Sequence, residues 1–284
     1  MEFFDALANP DIPFLRYAFI AGAMASVSFG MVGSYVIVKR ISYIAGAIAH
    51  SVLGGIGLSL YVRTALGLEW FEPLFGAVIA ALLSAIIIGL VSLYAQERED
   101  TVIGAIWSIG MATGLLFLAV TPGYVDPMSY LFGNILMISA TDLLLVILLD
   151  LLIIAFVGLF YNKFLAVCFD EEFTRIRGID VRFYYLLMLC LIALTIVLLV
   201  SIVGLVLVIA LLTLPAAVAG HFSRRLSRMM VFSVLLCLLF ISFGLGISYS
   251  FDLPSGAVIV ALAGCSYLIV SIAKSIVKRK RGRI

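Results

Sequence analysis

Residues 42–62 read SYIAGAIAHSVLGGIGLSLYV, a stretch in which His50 is the only ionisable side chain other than tyrosine. About 20 residues of this character are enough for a helix to cross a bilayer's hydrocarbon core, about 30 Å thick. An imidazole at that depth is costly in hydrocarbon, so it faces a protein interior or a watery pathway. Gly46 lies one turn before His50, and Gly54, Gly55 and Gly57 follow it. Such glycines let another backbone or a passing solute come close to the ring.

Composition extends that reading to the whole chain. Apolar residues make up 64% of the 284 residues, charged residues only 12%, and mean hydropathy is +1.26. A soluble domain is about 45–50% apolar and a quarter charged. Residues 1–13 carry Glu2, Asp5 and Asp11 without a basic residue, the reverse of a secretory leader. The span beginning at Phe14 is also longer than a signal core. Cys168, Cys190, Cys237 and Cys265 are dispersed, with neither a disulfide framework nor a CxxC spacing, and read as small packing residues.

Apolar windows fall at 14–38, 43–62, 74–95, 102–120, 141–161, 184–200, 203–221, 229–250 and 255–275. The expected fold is therefore an all-α polytopic membrane protein of about nine transmembrane helices. The weak break at Ser201–Gly204 leaves eight as the alternative. With the N-terminus outside and the C-terminus inside, every one of the 18 basic residues except Arg16 and Arg63 falls on the inner side, Arg98 among them. That bias is what the positive-inside rule requires. Gly22, Ser26, Gly30 and Ser34 form a small-residue stripe on the first span, and Gly110 and Gly114 a pair on the fourth; both suit close helix packing.

The longest charged inner segment, 169–180, reads FDEEFTRIRGID. Acids at its start and arginines later suit the dipole of a short helix, and Gly178 can end it in a left-handed conformation. Phe173 and Ile176 are three apart and share a face. The segment is either a docking surface for another protein or a solvated connector. Asp150 is the one carboxylate well inside a span, which makes it a pathway candidate or an interhelical bond. Asp142 reads as a helix cap. Glu69, Glu72, Asp126 and Asp252 read as outer loop charges, and His221 as an interfacial residue.

These segments together resemble the metal permeases of the ABC-3 type, the membrane subunits of bacterial zinc, manganese and iron ATP-binding-cassette importers. The likeness runs from Ser34–Tyr43 through Ser129–Asn134 and Asp170–Ile179. It continues with Gly204–Ala217, which includes Pro215, and ends with Phe251–Gly256, covering essentially the full chain in order. It implies one transmembrane permease domain over 1–284, in the bacterial cytoplasmic (inner) membrane. It also implies a second permease subunit (a homo- or heterodimer), separate ATPase subunits, and an extracytoplasmic binding protein that delivers the metal. Residues Asp170, Glu171, Glu172, Phe173, Arg177 and Gly178 would couple to the ATPase. The chain itself has no GxxxxGK[ST] phosphate loop, so ATP hydrolysis is expected in a partner and the chain is not an enzyme. The metal, zinc, manganese or iron, is cargo; no permanent cofactor and no nucleic-acid partner are expected. A permease for a metal chelate and an ion-coupled secondary transporter are the rivals.

The resemblance also exposes a departure. The family's second span carries Asp and His four residues apart, whereas here His50 is preceded by Gly46; Asn134 likewise stands where many relatives have Asp. Carboxylate with imidazole suits these metals. Three accounts remain open. A different permease chain supplies the Asp–His pair; a homodimer uses a weak, transient site; or His50 is an interior residue satisfied by a carbonyl or serine. Metal ligation is expected at His50, with Gly46, Gly54 and Asp150 as pathway-lining candidates.

Overall fold

The computed structural model describes residues 13–94, 99–123 and 138–281. Arg98, Asp126, the 129–134 motif with Asn134, and the acidic residues before position 13 lie outside the described residues. The helices are α1 (Pro13–Lys39), α2 (Ser42–Ala65), α3 (Pro73–Tyr94), α4 (Glu99–Val120) and α5 (Ala140–Phe169), then α6 (Glu171–Ile176), α7 (Val181–Val203), α8 (Leu205–Phe222), α9 (Leu226–Phe251) and α10 (Ser255–Arg281). Among the described residues there is no strand, and nine of these helices, all but α6, are long and apolar enough to cross a membrane. The chain is an all-α membrane protein, and its described residues hold nine candidate spans, matching the nine-span expectation and not the eight-span alternative.

The α7–α8 break is a single residue. Gly204 adopts φ 84° and ψ 159°, a region essentially restricted to glycine. Its N–H donates to the Val200 carbonyl at 3.0 Å and its carbonyl accepts from Val208 N–H at 3.1 Å. One helix therefore ends and the next begins without a loop. The fifth span runs beyond the expected 141–161 and continues as helix to Phe169. Its start is a capping box: Ser139 is the N-cap and Asp142 answers it, accepting from Ser139 N–H at 2.9 Å.

Two groups of helices meet around α1 and α7. In the first, α2 packs closely on α3 and α4. A Cβ on Gly55 would run into the Gly76 carbonyl, and one on Gly110 would lie 2.6 Å from Ser51 Cα. In the second, α1 packs against α5, α8 and α9, where Gly30 meets Val234 and Gly33 meets the Leu212 carbonyl. The small-residue stripes thus bring backbones into contact, as helices in lipid require. α7 touches α3, α5, α2, α8 and α1 and ties the groups together. α4 and α10 are the least buried spans.

Pro215 lies inside α8 and is buried. A proline has no N–H to offer the carbonyl four residues back. That carbonyl, Leu211, instead accepts from the Cys237 thiol of α9 at 3.5 Å, so Cys237 does more than fill space.

Candidate functional site

The side chain of His50 turns back on its own helix, with Nδ1 lying 2.8 Å from the Gly46 carbonyl. A carbonyl only accepts, so Nδ1 carries the proton and Nε2 of the neutral ring holds a lone pair. Among the described residues nothing hydrogen-bonds to Nε2, and the residue is half-buried. Fixing one ring nitrogen on a carbonyl and leaving the other bare is how a metal-ligating histidine is prepared. The carbonyl bond also satisfies part of what an interior histidine needs.

Trp107 of α4 lies across this turn of α2. Its ring stacks on the imidazole, with centroids 4.2 Å apart and planes at 26°. The same ring also meets Tyr43, farther back along α2, at 5.5 Å. Between the two, a Cβ on Gly46 would sit 3.1 Å from Trp107 Cζ3. Tyr43, Gly46 and His50 share one face of α2, and the indole fills the space that a side chain at position 46 would occupy. The missing carboxylate is therefore matched by an aromatic ring from the neighbouring helix. Among the described residues no three His, Cys, Asp or Glu side chains form a metal cluster.

The other candidate residues have different surroundings. Gly54 borders an apolar recess of about 440 Å³ between α2, α3 and α4, where a Cβ would approach the Gly110 carbonyl at 2.8 Å. Asp150 is buried and accepts a hydrogen bond from the Ser28 hydroxyl of α1. It is not brought to His50 by any contact. His221 stacks on Tyr267 at 6.4 Å and its carbonyl accepts from Lys274.

The 169–180 segment forms the short helix α6. Asp170 caps it, accepting from Phe173 N–H at 2.9 Å, and Gly178 follows it at φ 75°. Asp180 then caps α7, accepting from Arg182 and Phe183 N–H. Glu171 pairs with Lys39, whose ammonium also donates to the Val167 carbonyl at 3.1 Å. This ties α6 to the end of α1, directly before the turn into α2. Arg177 lies over the Phe173 ring at 4.7 Å. Phe173 and Ile176 remain 49% and 79% exposed, so their shared face is open to a partner. Beside it, a cavity of about 530 Å³ runs between Phe169, Asp170 and Phe173 on one wall and Arg224 and Arg225 on the other.

Sequence reasoning passed over Trp107, Ser28 and Lys39. Trp107 had a visible signal: tryptophan favours membrane interfaces, and this one lies well inside α4, whereas Trp70, the other of two, is in the exposed α2–α3 loop. Ser28 and Lys39 had none, because their partners lie more than 100 residues away.

Residues 11–274 match the model of the ABC 3 transport family. The chain is 42% identical over 250 residues to the "Probable metal transport system membrane protein" of Chlamydia pneumoniae, covering 88% of this chain and 85% of that one. It is 31% identical over 256 residues to the manganese transport system membrane protein MntC of Listeria monocytogenes, covering 90% and 89%. Among solved structures, PsaBC from Streptococcus pneumoniae in complex with Fab superposes with a TM-score of 0.82 at 32% identity, over 95% of this chain and 94% of that one. With its nine apolar spans and this match along nearly its whole length, the chain belongs to the ABC 3 transport family.

Proposed function

We propose that this chain is the membrane permease subunit of an ATP-driven importer for a divalent transition metal: zinc, manganese or iron. The observation that carries this reading is the likeness, along nearly the full length, to relatives whose names state metal or manganese transport. The chain acts as one permease domain in a bacterial inner membrane, N-terminus outside and C-terminus inside. It pairs with a second permease subunit, receives metal from an extracytoplasmic binding protein, and performs no covalent chemistry.

His50 supplies one nitrogen ligand to the pathway through Nε2, and the second permease subunit completes the set. A neutral nitrogen donor suits transition metals better than calcium or magnesium. An incomplete, transient site also suits a conduit, since release must follow entry. Gly46 and Gly54 border this part of α2. Residues Asp170, Glu171, Glu172, Phe173, Arg177 and Gly178 form the coupling segment. ATPase subunits dock on its exposed Phe173–Ile176 face, and the Lys39–Glu171 pair passes their movement to α1 and the α1–α2 turn.

The test is reconstitution of the permease with its ATPase subunits in vesicles. ATP-dependent uptake of zinc, manganese or iron is expected, and uptake of none of them abandons the proposal. His50→Ala separates the metal reading from the chelate reading: free-metal uptake falls in the first case and is unchanged in the second.

A further inference from the structure

We propose that Trp107 is the positioning residue of His50: the indole holds the imidazole with its Nδ1 proton on the Gly46 carbonyl, so that Nε2 is the nitrogen offered to metal. The inference rests on His50 being the metal-facing residue of the preceding reading and adds the group that sets its presentation. Three observations meet at one turn of α2. The imidazole is bonded through Nδ1 at 2.8 Å to Gly46. It is backed by the indole at 4.2 Å, nearly in parallel. The indole can lie there because position 46 has no Cβ, which would stand only 3.1 Å from Cζ3. Tyr43, on the same face of α2, adds a third contact to the indole at 5.5 Å.

An isolated imidazole exchanges readily between its two tautomers and swings between rotamers, and each exchange removes the lone pair from the pathway. A flat ring stacked on one face opposes tilting and flipping of the imidazole about its Cβ–Cγ bond, and so favours the orientation that keeps Nδ1 on the carbonyl. A second, purely structural role for Trp107, packing α4 on α2, would leave the tautomer unaffected. The two roles differ in what they predict for the ring nitrogens.

The experiment uses the full chain in lipid nanodiscs, carrying imidazole-15N histidine. The chain has only two histidines, so a His221→Gln background leaves His50 as the sole reporter. In this background and in Trp107→Phe, one proton-bearing Nδ1 and one bare Nε2 are expected. In Trp107→Ala, both tautomers are expected, and half-saturating zinc or manganese for uptake by the reconstituted complex rises about 10–100-fold, the usual effect of removing a group behind a ligand. An unchanged single tautomer in Trp107→Ala overturns the proposal even if uptake falls. Mixed tautomers with unchanged half-saturation overturn it as well. Should Trp107→Ala fail to assemble, Gly46→Ala, which presses a methyl on the indole, is expected to mix the tautomers, and Gly46→Ala/Trp107→Phe to restore one. Failure of that compensation overturns the idea. A parent complex that moves no metal sinks the proposed function instead, and leaves the tautomer comparison to decide the role of Trp107.

Discussion

Removing the Ser28 hydroxyl tests whether Asp150 serves the fold or the pathway. Ser28 is fully buried and Asp150 is 7% exposed; their bond joins α1 to α5. Interhelical hydrogen bonds in membrane proteins average only about 0.6 kcal/mol. That figure applies when the group left behind finds another partner. Here Ser28→Ala leaves a carboxyl in an apolar setting, and the loss of a bond to such a group costs about 1.5–3 kcal/mol. The larger value should win because neither residue can turn to solvent. Asp150→Asn keeps an acceptor oxygen for Ser28 and should cost under about 1 kcal/mol. The double variant Ser28→Ala/Asp150→Leu removes both polar groups and should lie close to the parent, because an apolar pair leaves nothing unpaired. Equilibrium unfolding of the parent and the three variants in mixed micelles gives the costs, and metal uptake by the same chains gives the function. The reasoning fails if Ser28→Ala costs less than about 0.5 kcal/mol. It fails equally if Asp150→Asn folds normally and transports nothing, for then the carboxylate belongs to the pathway.

Gly55→Ala should destabilise the chain by about 1–3 kcal/mol, since its methyl meets the Gly76 carbonyl and backbone cannot move aside cheaply. Gly158→Ala, with open space around its Cβ position, is the matched control and should be neutral or slightly stabilising in the same unfolding assay. Cys237→Ala should cost about 1–3 kcal/mol by leaving the Leu211 carbonyl without a donor beside Pro215, and Cys237→Ser should recover most of it. Phe173→Ala with Ile176→Ala should leave folding within about 0.5 kcal/mol, because both side chains are exposed. The same pair should reduce co-purification of the ATPase subunits at least tenfold in a pull-down, and full retention would refute the docking role.

The spans were legible because hydrophobicity is a local property, readable over about 20 residues. Ser139 and Asp142 illustrate the same point on a smaller scale, since a cap needs only partners three residues apart. Gly204 was harder. A single glycine barely interrupts an apolar window, and only its backbone conformation shows that it separates two helices. The small-residue stripes indicated close packing but not the partner. Gly30 meets α9 and Gly33, outside the stripe, meets α8, a choice made by the way the helices cross.

His50 divides along the same line. Its depth, its rarity among apolar residues and the glycine one turn before it are all properties of residues 42–62. Those local properties define the helix and the face but not what packs against it. That Gly46 makes room for Trp107, and that the indole stacks on the imidazole, depends on α4 lying against α2. Likewise, the acids and arginines of 169–180 foretold a capped short helix. The clamp from Lys39 to Glu171 required α1 and α5 to end side by side. Sequence alone determined the membrane class, the spans and the charge bias, because lipid acts on each segment separately. Tertiary structure decided which polar groups meet, because the two halves of each pair lie on different helices and only packing brings them within reach.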